Sequence, residues 1–102
     1  MTQYRVGYLP GADDEYWQLP PRLRRDLRAR LSYLRSGPFQ SYPGLQVKEV
    51  EDAPGAWRIH LGPYRVFYRI DGPTIWIVMI WRDCPSAYSR STLREVNRRL
   101  RR

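Results

Sequence analysis

WRIHLGPYRVFYRIDGPTIWIVMIWR, residues 57–82, carries the reading of the fold. Three runs rich in branched and aromatic residues, WRIHL, YRVFYRI and TIWIVMIW, are cut by Gly62-Pro63 and by Asp71-Gly72-Pro73. Such side chains suit a pleated surface, and the proline in each interruption denies the ladder a donor, so the economical reading is a three-stranded antiparallel meander. Alternation then assigns the faces. Trp57, Ile59 and Leu61 turn one way and Arg58 and His60 the other, while Val66, Tyr68 and Ile70 oppose Arg65, Phe67 and Arg69. The third run is apolar on both faces, which predicts a central strand covered on both sides, ending at Trp81-Arg82.

Upstream, TQYRVGYLP alternates as a short first strand with Tyr4, Val6 and Tyr8 on one side, closed by Pro10-Gly11. ADDEYWQL starts a short helix, with Asp13, Asp14 and Glu15 near its positive N-terminal end. In the longer helix that follows, Leu23, Leu27, Leu31 and Leu34 line one face, Pro20 or Pro21 suits the first turn, and Gly37-Pro38 stops it. LQVKEVEDAPG holds at most a brief extended segment before a loop. Downstream, STLREVNRRLRR forms a short amphipathic helix on Leu93, Val96 and Leu100, with Ser91 or Thr92 as its cap and Glu95 at capping-box spacing from Thr92, unless its many arginines leave it frayed. The sum is an α+β domain spanning residues 1–102: an N-terminal strand, two helices, and a meander that completes a four-stranded sheet, with a possible short C-terminal helix.

Length supports one core, since 102 residues rarely divide into two domains, and 42% hydrophobic residues suffice to build it. Charge points outward to a partner. A formal +8 and a pI near 10.2 attract a polyanion, nucleic acid first, an acidic membrane or protein next. Seventeen of the eighteen cations are arginines, Lys48 being the exception; the planar guanidinium suits phosphate, although codon bias accounts equally for the excess. Cys84 stands alone, which excludes an intrachain disulfide and fits a reducing cytoplasm. MTQYRVGYLP lacks the pattern of a secretory leader, and no apolar run approaches the ~18 residues of a membrane span. One histidine and one cysteine do not assemble a metal site, and nothing calls for a cofactor.

Residues 57–90 resemble the RelE/ParE superfamily of bacterial toxins, through WRIH, GPYRVFY, IDG, TIWIVMI, Arg82 and Tyr88 in that order. The resemblance implies a RelE-like fold. It also implies one of two activities: ribosome-dependent cleavage of mRNA in the A site of the 70S ribosome, or poisoning of DNA gyrase without nuclease action. Either is held in check by a cognate antitoxin protein. For the nuclease branch it implies Arg58, His60, Arg65, Arg82 and Tyr88 as cleavage residues. The cations Arg24, Arg28, Lys48, Arg69 and Arg90 are candidates for further RNA contacts. The family's prototype carries a lysine where this chain has His60.

The chemistry suits those groups. Metal-independent RNA cleavage needs a base for the 2′-hydroxyl, a proton for the leaving 5′-oxygen, and cations around the phosphorane. Histidine exchanges protons near neutral pH, and surrounding guanidiniums favour its base-competent neutral form. Arg65 and Arg82 brace the phosphorane, Arg58 holds a flanking phosphate, and Tyr88 stacks on a splayed base or orients the reacting oxygens. Each residue has a plainer alternative. His60 is also what polar alternation demands, Arg65 can pair with Asp71 or Glu51, Arg82 with the neighbourhood of Asp83, Tyr88 can pack under the last helix, and the helix arginines can be a solvated face. The proposal stands or falls on whether residues 60, 65 and 82 share one side of the meander.

Overall fold

The computed structural model describes residues 3–82 and 90–101. Their elements are β1 (Arg5–Tyr8), α1 (Ala12–Gln18), α2 (Pro21–Leu34), β2 (Lys48–Glu49), β3 (Trp57–Leu61), β4 (Tyr64–Asp71), β5 (Thr74–Arg82) and α3 (Arg90–Leu100). The meander forms as its turns dictate. Gly62 and Gly72 each open a two-residue loop at φ 56°, the positive value that the first central position of a tight hairpin turn requires. β1 adds in parallel to β5, reached by the helical crossover, and the strand order is β1-β5-β4-β3-β2. The sheet thus has five strands where four are expected. The extra one is the brief LQVKEV segment, whose Lys48 and Glu49 pair with Arg58 and Trp57.

Both faces are covered, as the apolar third run predicts. On one face α1 and α2 lay Tyr16 and the leucines 23, 27, 31 and 34 over Ile59, Leu61, Val66, Tyr68, Ile75, Ile77 and Ile80. Each fully buried leucine there contributes about 1.5–3 kcal/mol. On the other, Val96, Leu93 and Leu100 of α3 pack with Val50, Phe67, Val78 and Met79. Burial pushes the Tyr68 phenol well above its ordinary range, and its hydroxyl donates to the Pro38 carbonyl at 2.7 Å.

β5 serves two faces by means of a bulge. Phe67 pairs with Met79 but Tyr68 pairs with Ile77, so Val78 is an extra residue and the alternation of β5 reverses across it. β1 reaches only as far as Ile77, whose carbonyl accepts from Leu9. Beyond that point two side chains replace the missing strand. Glu15 of α1 accepts from the Ile80 amide at 2.9 Å, and Arg99 of α3 donates to the Val78 carbonyl at 2.9 Å. The two residues join each other by paired bonds of 2.9 and 3.0 Å, clasping the sheet edge between α1 and α3.

α3 starts earlier than its sequence suggests. Thr92 is buried inside the helix rather than capping it, and Glu95 turns to Arg98 and Arg99, whose hydrogen bonds hold its carboxyl down to about 2.

Candidate active site

Ladder register builds the site from three strands. Antiparallel partners share a face with Cβ atoms roughly 4.5–5.5 Å apart. His60 pairs with Arg65, and Arg65 pairs with Trp81, so these three form one row across β3, β4 and β5. Two residues along β3, Arg58 joins the same face and has Lys48 opposite it. The face is that of α3, whose Leu93 shares with Arg58, Lys48 and the acidic Glu49, Glu51 and Asp52 a cleft of about 310 Å³. Like charges directly across a ladder destabilise a sheet, and this face sets Lys48 opposite Arg58. Nearby carboxylates temper that repulsion in the cleft, whereas His60 and Arg65 lie outside it.

Within the row Arg58 Nη1 lies 3.2 Å from His60 Nε2. A guanidinium has only donors, so a hydrogen bond between the two has Nε2 as its acceptor. His60 is exposed. Arg58 and Arg65 are half-buried, which limits the directions their heads can take.

The convergence of residues 60, 65 and 82 on one side of the meander holds for the first two and fails at Arg82. It pairs with Tyr64, whose side chain packs on the face covered by α1 and α2, so its parity is opposite to that of His60 and Arg65. The reason is the Val78 bulge. In an uninterrupted register Arg65 would oppose Ile80, and Arg82 would fall on the row's own face. Instead Arg82 is exposed and lines a cleft of about 440 Å³ at the end of β5 with Asp14, Glu15, Gln18, Tyr64 and Trp81.

The remaining cations scatter. Arg24 donates to the Leu19 carbonyl at 2.6 Å and lies over the Trp17 ring, and Arg28 donates to the Tyr16 hydroxyl at 2.7 Å. Both stand on α2, across the sheet from the row. Burial beside Tyr16, countered by Arg28, pushes the Tyr8 phenol up to about 12. Arg69 shares the row's face, but its Nη1 donates to the Leu100 carbonyl at 2.6 Å and closes the end of α3. Lys48 is beside Arg58. Tyr88 lies outside the described residues, as does the side chain of Arg90. Among the described residues no group of three His, Cys, Asp or Glu side chains is set to hold a metal ion, and no helix is long and apolar enough to cross a membrane.

The sequence singles out neither Trp81 nor the Glu15–Arg99 clasp. The two-residue turn at Gly62-Pro63 suffices to put His60 opposite Arg65, but nothing in an unbroken apolar run signals the bulge that brings Trp81 beside them.

Residues 8–83 match the family model described as the ParE toxin of the type II toxin–antitoxin system, parDE. No curated protein matches the chain. A mutant of E. coli toxin RelE in the free state superposes with a TM-score of 0.74 at 16% identity, covering 97% of this chain and 99% of that one. The archaeal RelE–RelB complex from Pyrococcus horikoshii gives 0.68 at 22% identity over 82% of this chain and 99% of that chain. The toxin–antitoxin complex RelBE2 from Mycobacterium tuberculosis gives 0.62 at 25% identity over 79% and 99%.

Proposed function

Because the chain belongs to the ParE toxin family of type II toxin–antitoxin systems, within the RelE/ParE superfamily, we propose that it is a ribosome-dependent, metal-independent mRNA endonuclease restrained by a cognate antitoxin. The observation that carries this reading is the contact between Arg58 and His60, with Arg65 opposite, on one face of the sheet, a grouping that forms without Arg82. The antitoxin is supported by the similar structures from P. horikoshii and M. tuberculosis, which are complexes of that kind.

In the proposed reaction a single-stranded mRNA segment lays its scissile phosphate against Arg58 and Arg65. The Arg58 guanidinium turns from imidazole to phosphate and releases the Nε2 lone pair. His60 then takes the 2′-hydroxyl proton as the 2′-oxygen bonds to phosphorus. The bond to the 5′-oxygen breaks, that oxygen takes a proton from water, and a 2′,3′-cyclic phosphate remains. Arg65, fixed by the ladder before substrate arrives, stabilises the phosphorane charge by several kcal/mol, order of magnitude only. Arg82 contacts the RNA chain beyond the scissile group from the far side of the strand end, and Tyr88 keeps the stacking or orienting role that the resemblance gives it.

Single-turnover cleavage on programmed ribosomes tests these roles. His60→Ala and Arg65→Ala are expected to lose at least about tenfold in rate with unchanged melting, and Arg82→Ala to lose less than either, about two- to fivefold. Wild-type rates in the first two variants refute the assignment. A second reading, a gyrase poison without nuclease action, is favoured by the ParE description of the matching family. It predicts lost supercoiling with intact mRNA. A basic RNA-binding module with no activity, which the +8 charge alone supports, predicts neither.

A further inference from the structure

We infer that the Trp81 indole is a stacking platform for a nucleobase next to the phosphate held at Arg65, an inference that rests on the RNA-cleaving reading above. β5 buries Ile75, Ile77, Val78, Met79 and Ile80 to between 0 and 4% exposure, yet leaves Trp81 41% exposed. Trp57 and Trp76 are accounted for by packing, and Trp17, 69% exposed, stands on α1 across the sheet from the row. Trp57 lies against the first core with the Phe39 ring 5.2 Å away, Trp76 packs on the second core over Gly7, and Trp17 sits edge-on to Tyr16 beneath Arg24. Trp81 belongs to neither core and makes no ring contact among the described residues.

Its direction follows from the bulge. With an uninterrupted register Trp81 would oppose Tyr64 on the α1/α2 face; the extra Val78 instead pairs it with Arg65 on the α3 face. An exposed indole one strand spacing from a guanidinium matches a nucleotide, whose apolar base and anionic phosphate need a π-face and a cation side by side. The ligand class is single-stranded RNA with one base splayed from its neighbours, because a paired base offers no free face.

The test titrates wild type, Trp81→Ala and Trp81→Phe on ribosomes programmed with mRNA carrying 2′-deoxyriboses at the cut positions, which reads binding without chemistry. All-ribose mRNA then reports single-turnover rates. Trp81→Ala is expected to weaken half-saturation roughly five- to hundredfold, the range of one base–aromatic stack, while the rate at saturation stays within about threefold. Trp81→Phe recovers most of the loss. Undiminished binding by Trp81→Ala overturns the inference, as does an equal loss in the phenylalanine variant. A wild type that binds through Trp81 but leaves all-ribose mRNA uncut refutes the nuclease reading alone; one that binds no mRNA overturns both.

Discussion

At His60 a neighbouring side chain sets the chemistry. Any hydrophilic residue satisfies the alternation of β3, but an imidazole can both accept from Arg58 and, on the proposed reading, take a proton from a substrate hydroxyl near neutral pH. A charged lysine there accepts nothing. Gly7 shows an equally local constraint of packing. It pairs with Trp76, and a side chain added at Gly7 runs into that indole ring. Gly7→Val is therefore expected to displace Trp76, on which α3 packs, and to destabilise the fold by about 1–3 kcal/mol. Chemical denaturation measures the loss, and an unchanged midpoint contradicts the packing account.

Among the elements, β5 decides most. The hairpin turns, the leucine face of α2 and the apolar third run were all legible, because each leaves a periodic or punctuating signal. The bulge left none, since a slip of one residue changes nothing visible in a run apolar at every position. That single residue moved Arg82 off the candidate site and Trp81 onto it. The parallel docking of β1 and the pairing of β2 were also hidden, because two short strands carry too little pattern to name their neighbours. The clasp of α1 and α3 over the β5 edge depends on residues 84 positions apart in sequence. Replacing a buried ion pair by apolar residues is often harmless, but here the pair also satisfies the Val78 carbonyl and the Ile80 amide. Arg99→Met is accordingly expected to cost about 3 kcal/mol, and Glu15→Leu/Arg99→Met to recover little of it. Melting of the single and double variants checks this, and a double variant as stable as wild type contradicts it.

Across the whole molecule, the sheet separates two kinds of arginine. Those of α2 that were expected to touch RNA, Arg24 and Arg28, hold α1 and α2 together on one side, while Arg58, Arg65 and Lys48 gather with His60 on the other. The net +8 favours a polyanionic partner, and on the proposed reading the ladder determines where a phosphate meets the base that deprotonates the adjacent 2′-hydroxyl. The measurement that tests this most directly is 5′-end mapping of cellular mRNA after brief induction of the wild type and of Arg65→Ala. The account predicts new 5′-hydroxyl ends inside translated frames with the wild type and their loss with Arg65→Ala. Intact messages under growth arrest, or the same ends in both strains, would contradict it.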